Sequence, residues 1–285
     1  MAEFHIHFFK EKSRKIDLEV LIAFFEEIKG FIVEMDDASV RFLYTHPKLG
    51  HKAKFVITPK SQVPDIYRLS PKFLDLNFRL EMPLLTPNYV ASGLFELVKK
   101  ISDRFNFHIY NEMFEDVLPY KIEVVNKVYH MLKKAYVDKN PVILSNYFII
   151  DTKRLNAIYR YLDELYDLQK YYQELDTYVP TYHFLKTDEK KLILGIEFKE
   201  HSLTVFPPEL DYVFYRSKED IKVFSAQEVL ETLDKLLQDV PGFIKGTKVV
   251  PKKQMKKVHK LMKKTKFDLV EHTFEKELLK HLIDV

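Results

Sequence analysis

Between Leu74 and Met82 apolar and polar residues alternate without a break, with Leu74, Leu76, Phe78, Leu80 and Met82 set against Asp75, Asn77, Arg79 and Glu81. Successive strand side chains point to opposite faces, so this spacing predicts a strand with one buried and one wet face. Residues 4–9, FHIHFF, read as a short strand. Residues 31–35 and 40–44 read as two strands joined at 36–39, and residues 54–58 follow a turn at 46–51 that contains Pro47 and Gly50. Together these three make an antiparallel meander. Elsewhere the period lengthens to that of a helix. Leu18, Leu21, Ile22, Phe25 and Ile28 follow Asp17, a plausible N-cap, and end at Gly30. Thr86 as N-cap and Pro87 at the first helical position open a helix through Val90, Leu94, Leu97, Val98 and Ile101. Residues 107–110 read as a returning strand. Pro119 starts a further helix with Ile122, Val125, Tyr129 and Leu132 on one face, and Asn140 and Pro141 end it.

The second half repeats the order. Asp151 caps a long helix whose Leu155, Ile158, Leu162, Leu165, Gln169 and Tyr172 keep 3,4 spacing. Strands are read at 182–185, 192–198, 203–206 and 212–215, and Ser225 with Glu228 forms a capping box for a helix through Val229, Leu233, Leu236 and Leu237. A last helix is read through Phe274, Leu278, Leu279 and Leu282. Consecutive strands followed by helices predict an α+β fold of antiparallel sheets with packed helices. Helix, four strands, helix recurs at 17–104 and 151–238, which suggests two similar α-β4-α halves. The expected organisation is an α+β domain at 1–140, a second at 141–240 that opens with the long helix, and a basic helical tail at 241–285. The 151–176 helix offers a seam through which the chain could self-associate.

Composition narrows the chemistry. With 285 residues, 46% of them hydrophobic, the chain can bury a sizeable core. No run approaches 18 apolar residues and the start lacks a basic, then apolar, leader, so a cytoplasmic protein without membrane insertion is expected. The absence of cysteine removes disulfides, thiolate zinc, iron–sulfur clusters and a cysteine nucleophile. Six glycines, none closer together than Gly242 and Gly246, leave no loop of the P-loop or dinucleotide type. No cofactor is expected.

Charge is distributed unevenly. The net charge is +3, yet residues 245–266 hold ten lysines and no acid, leaving 35 bases against 42 acids elsewhere. Within this segment Met255, Val258, Leu261 and Met262 form a narrow apolar stripe, and Lys252, Lys253, Lys256, Lys257, Lys260, Lys263 and Lys264 cover the rest, a basic amphipathic helix. The expected function is that of a non-enzymatic intracellular binding or regulatory protein that engages an anionic partner through this helix. The partner would be an acidic protein or a nucleic acid. Lysine outnumbers arginine 37 to 8, so anion contacts should be diffuse rather than bidentate.

An enzymatic alternative starts from His5 and His7. Two apart on a strand, they share a face, as two nitrogen ligands of a metal-dependent hydrolase would. Phe4, Ile6 and Phe8 would take the core face, leaving both histidines exposed or at a sheet edge. Consecutive antiparallel strands do not supply the strand-helix barrel such enzymes use. His46 and His51 flank a turn, where imidazoles are expected to be solvated. No metal site is expected.

Overall fold

The computed structural model describes residues 2–12, 17–218 and 220–285. The chain divides into two units, residues 1–145 with 283–285, and residues 146–282.

In the first unit the strand read at 4–9 lies inside a seven-stranded antiparallel sheet. It comprises β1 (Glu3–Glu11), β2 (Phe31–Asp36), β3 (Ser39–Thr45), β4 (Lys52–Ile57), β5 (Phe73–Pro83), β6 (His108–Tyr110) and β7 (Leu118–Pro119), in the spatial order β2-β3-β4-β5-β1-β6-β7. Phe4, Ile6 and Phe8 bury one face together with Phe42, Phe55, Phe78 and Leu80. Three helices supply the facing side chains: α1 (Leu18–Glu26), α2 (Asn88–Phe105) and α3 (Ile122–Lys139). Phe25 of α1 stacks on Phe42 at 4.2 Å, and Phe95 of α2 and Tyr129 of α3 meet Phe4 edge-on at 5.8 and 5.2 Å. Such offset and edge-to-face pairs add to the burial of large rings. Asp17 caps α1 as the sequence predicts, accepting from the backbone N–H groups of Glu19 and Val20. Gly30, at φ 98°, closes the turn after α1, where a Cβ would lie 2.7 Å from the Thr45 carbonyl oxygen.

The alternation in β5 is interrupted. Register passes from Phe8 opposite Phe78 to Phe9 opposite Asp75, so Leu76 and Asn77 form a bulge, with Asn77 at φ 53°. Beyond the bulge the core ends and Leu74 is 52% exposed, although the pattern predicted it buried. Phe9 faces the opposite side and is buried there in a small second cluster with Val63, Leu69, Tyr110 and Val117. The wet face is therefore only partly wet.

The second unit contains β8 (Phe148–Ile149), α4 (Thr152–Gln173), β9 (Thr177–Tyr178), β10 (His183–Thr187), β11 (Leu192–Lys199), β12 (Leu203–Phe206), β13 (Tyr212–Arg216), β14 (Ile221–Ser225), α5 (Ala226–Leu233), β15 (Gln238–Asp239), β16 (Lys248–Val249), α6 (Met255–Lys264) and β17 (Phe274–Lys276). A five-stranded sheet runs β14-β13-β11-β10-β17 and a smaller one β15-β16-β12-β9. The β11–β13 and β12–β9 pairs are parallel, unlike any pair of the first unit's sheet. The two units are both α+β, but their strand orders show no clear duplication.

Asp151 caps α4 through the N–H groups of Lys153 and Arg154. The buried face of α4 is Leu155, Ile158, Tyr159, Tyr161, Leu168 and Tyr172, rotated from the expected seam: Leu162 and Leu165 are half-buried and Gln169 is exposed. The Tyr161 hydroxyl donates to the Pro180 carbonyl at 2.7 Å, which draws that side of the helix inward. Because this face is covered within the unit, Tyr166 and Tyr171 are the large apolar side chains that the helix leaves exposed. Ser225 occupies the N-cap of α5, but its side chain makes no capping bond.

The C-terminal stretch departs most from expectation. Of residues 241–285, α6 is the only α-helix among the described residues, and the final helix predicted through Phe274 to Leu282 is strand β17, a 3-10 turn at Leu279–His281 and a last strand, β18 (Leu282–Ile283). A separate helical tail is not what this chain forms. Strand β17 pairs with β10, so the period read as helical there belongs to residues recruited by a sheet edge. Among the described residues no helix is long and apolar enough to cross a membrane.

Candidate anion-binding site

Helix α6 is built as its pattern dictates. Val258 and Met262 are buried and Met255 and Leu261 half-buried; Lys256, Lys257, Lys260, Lys263 and Lys264 lie on the helix, whereas Lys252 and Lys253 fall in a 3-10 turn, Lys252–Gln254, that precedes it, and all seven are exposed. Among the described residues one of the seven, Lys263, has an ion-pair partner, Glu200 at 2.7 Å. His259 lies on the buried side at 5% exposure, where its Nδ1 accepts from the His201 backbone N–H and the two rings stand 4.3 Å apart. Burial, with His201 beside it, holds the His259 imidazole below its usual range.

Next to α6 three segments of the second unit enclose a cleft of about 670 Å³. The β11–β12 turn brings Glu200 and His201, and β13 with the following turn into β14 brings Tyr215, Lys218, Lys222 and Phe224. The end of α6 and the chain after it bring Met262, Lys263, Lys266 and Phe267. That last segment is held against β14 by a Val270 N–H bond to the Val223 carbonyl at 3.1 Å and by the Phe224–Phe267 ring contact at 4.8 Å. Four ammonium groups thus border a partly apolar recess, and among the described residues that line it Glu200 is the one carboxylate. The Lys263 ammonium and its hydrogen bond hold Glu200 below the ordinary carboxylate value. Tyr215 is 7% exposed and its hydroxyl has no hydrogen-bond partner among the described residues. Burial pushes its phenol up to about 12, so at neutral pH the group is a donor.

Of the cleft, sequence reading finds Lys263 alone. Lys266 lies just past the helix in the same acid-free run, while Lys218, Lys222 and Tyr215 carry no periodic or motif signal. Their position depends on β14 meeting the chain after α6.

The histidine pair lies in the first unit. His7 is 4% exposed, not at a wet surface as expected, and its ring is 6.2 Å from that of His5. Opposite them on β5 stand Arg79 and Glu81, the latter 5% exposed and paired with Arg79 and, at 2.6 Å, with Lys54 of β4. Burial above all, then the charges of His5 and Arg79, lower the His7 pKa to about 4. His51 is half-buried rather than solvated, and burial above all lowers its pKa to about 4 as well. His46 accepts at Nδ1 from the N–H groups of Lys48 and Leu49. Among the described residues no three histidines or carboxylates are grouped to hold a metal ion.

Compared with models of known families, with curated proteins and with solved structures, the chain matches none.

Proposed function

We propose that this chain is a non-enzymatic binding protein that holds an anionic partner against the lysine face of α6. The observation that supports this is the lack of internal neutralisation: Lys252, Lys253, Lys256, Lys257, Lys260 and Lys264 are exposed with no carboxylate partner among the described residues. Solvated helix faces ordinarily mix both signs, and a one-sign face attracts anions and raises their local concentration. Val258 and Met262 of the apolar stripe are buried and Met255 and Leu261 half-covered, so the helix presents mainly charge, which fits a nucleic acid or an acidic protein better than a lipid surface.

Binding of the full chain to duplex DNA, measured against salt, tests this. Neutralising about five phosphates gives a slope of log affinity on log salt near −4.5, or roughly a 500-fold loss between about 50 and 200 mM. A Lys256→Glu, Lys257→Glu, Lys260→Glu variant should keep its melting temperature and lose the binding. Binding of polyglutamate but not DNA would assign the face to an acidic protein. Binding of neither would refute the reading.

A further inference from the structure

The cleft beside α6 has what the outer face of the helix lacks: enclosure, an apolar wall and an unsatisfied buried donor. A buried hydroxyl without a partner forgoes its hydrogen bonds to water and gains nothing in exchange, so native structures rarely leave one without a use. Tyr215 is such a group, and the cationic side chains around it favour an acceptor that is an anion. Lys218, Lys222, Lys263 and Lys266, with the hydroxyl of Thr265, offer more donors than the two oxygens of a carboxylate can use. Lysine binds phosphate as a point charge and needs no fixed fork. The remaining wall is Phe224, Met262 and Phe267, and about 670 Å³ falls in the range of small-molecule pockets.

We propose that this cleft binds a small phosphate ester with an apolar or aromatic body, the phosphate among the lysines and the Tyr215 hydroxyl and the body against Phe224, Met262 and Phe267. The site shares only Lys263 with the basic outer face of α6 and does not rest on the polyanion reading. An aryl phosphate and a nucleoside monophosphate carry the same chemistry, and the choice between them is left to the probes.

The experiment is calorimetric titration of the full chain with phenyl phosphate, AMP, inorganic phosphate and benzoate. At least one of the two esters should saturate at one per chain and bind at least about tenfold tighter than inorganic phosphate or benzoate; whichever ester is tighter names the source. Tyr215→Phe should weaken the ester by about tenfold or more, as loss of a hydrogen bond to a charged group does. This variant should fold at least as well as the parent, since it removes only an unpartnered oxygen. Lys222→Ala with Lys266→Ala, both on the surface, should abolish binding and provides the test should Tyr215→Phe prove unstable. The Lys256→Glu, Lys257→Glu, Lys260→Glu variant should retain ester binding, which separates this site from the helix face. Absence of saturable ester binding, equal affinity for inorganic phosphate, or an affinity unmoved by Tyr215→Phe would each overturn the proposal.

Discussion

The Lys133 ammonium and the Asp284 carboxylate meet at 2.9 Å where neither side chain exposes more than 1% of its surface. Lys133 also donates to the Thr86 carbonyl at 2.8 Å and to the Asn88 side-chain oxygen at 3.2 Å, and Asp284 accepts from the Asn88 backbone N–H at 3.0 Å. The Tyr129 hydroxyl, which burial holds well above its usual range, bonds to the Thr86 carbonyl as well. The pair thus closes the start of α2, whose first N–H groups have no partner within the helix.

Removing one member should leave the other charged and buried. Asp284→Ala is expected to destabilise the protein by about 3–5 kcal/mol, and Lys133→Met with Asp284→Leu to recover most of that loss, because an apolar pair escapes the desolvation penalty. Burial already lowers the Lys133 pKa below 10.5 and the Asp284 charge opposes that shift. In Asp284→Ala the folded value falls further, so the unfolded chain binds the extra proton and stability should rise with pH up to about 10.5. Urea unfolding of the three proteins across pH 7 to 10 measures both effects. Equal stability of Asp284→Ala and the parent would remove the pair from any structural role.

Acid should act on His7. An unfolded imidazole takes a proton near 6.5 and the folded one near about 4, so between those values the unfolded chain holds more protons and stability falls as pH falls. About 2 kcal/mol should be lost from this group between pH 6.5 and 4.5, with His51 acting in the same direction. His7→Gln should show a smaller difference between its urea midpoints at those two pH values. A His7→Gln protein with the parent's full acid sensitivity would place the loss elsewhere.

Helix α4 should respond unevenly along its circumference. Ile158 is fully buried, and Ile158→Ala is expected to cost about 2–5 kcal/mol, whereas Tyr166→Ser, at a residue 66% exposed, should stay within about 0.5 kcal/mol. Light scattering on Tyr166→Ser and Tyr171→Ser also reads self-association. If the 151–176 helix joins two chains, it must do so through these exposed tyrosines, and their loss should give monomers.

What the sequence determined by itself is what neighbouring residues decide. Asp17 and Asp151 cap their helices because the acceptor and the N–H groups it meets lie two or three residues apart. The β5 alternation and the α6 stripe set which sides turn inward for the same reason: period 2 and period 3.6 are properties of the local backbone. Tertiary structure decided the rest. The N-terminus of α2 is served not by Thr86, whose hydroxyl turns back to the Pro83 carbonyl, but by Asp284, 196 residues away from Asn88. The alternation in β5 stops being a burial code at the bulge that its pairing with β1 imposes, and Phe274 joins a strand because the edge of β10 was there to pair with. The cleft is the extreme case. Glu200, the hairpin residues Tyr215 and Lys222, and Lys266 come from three separate segments, and only the packing of α6 and its following chain on the β13–β14 hairpin makes neighbours of them.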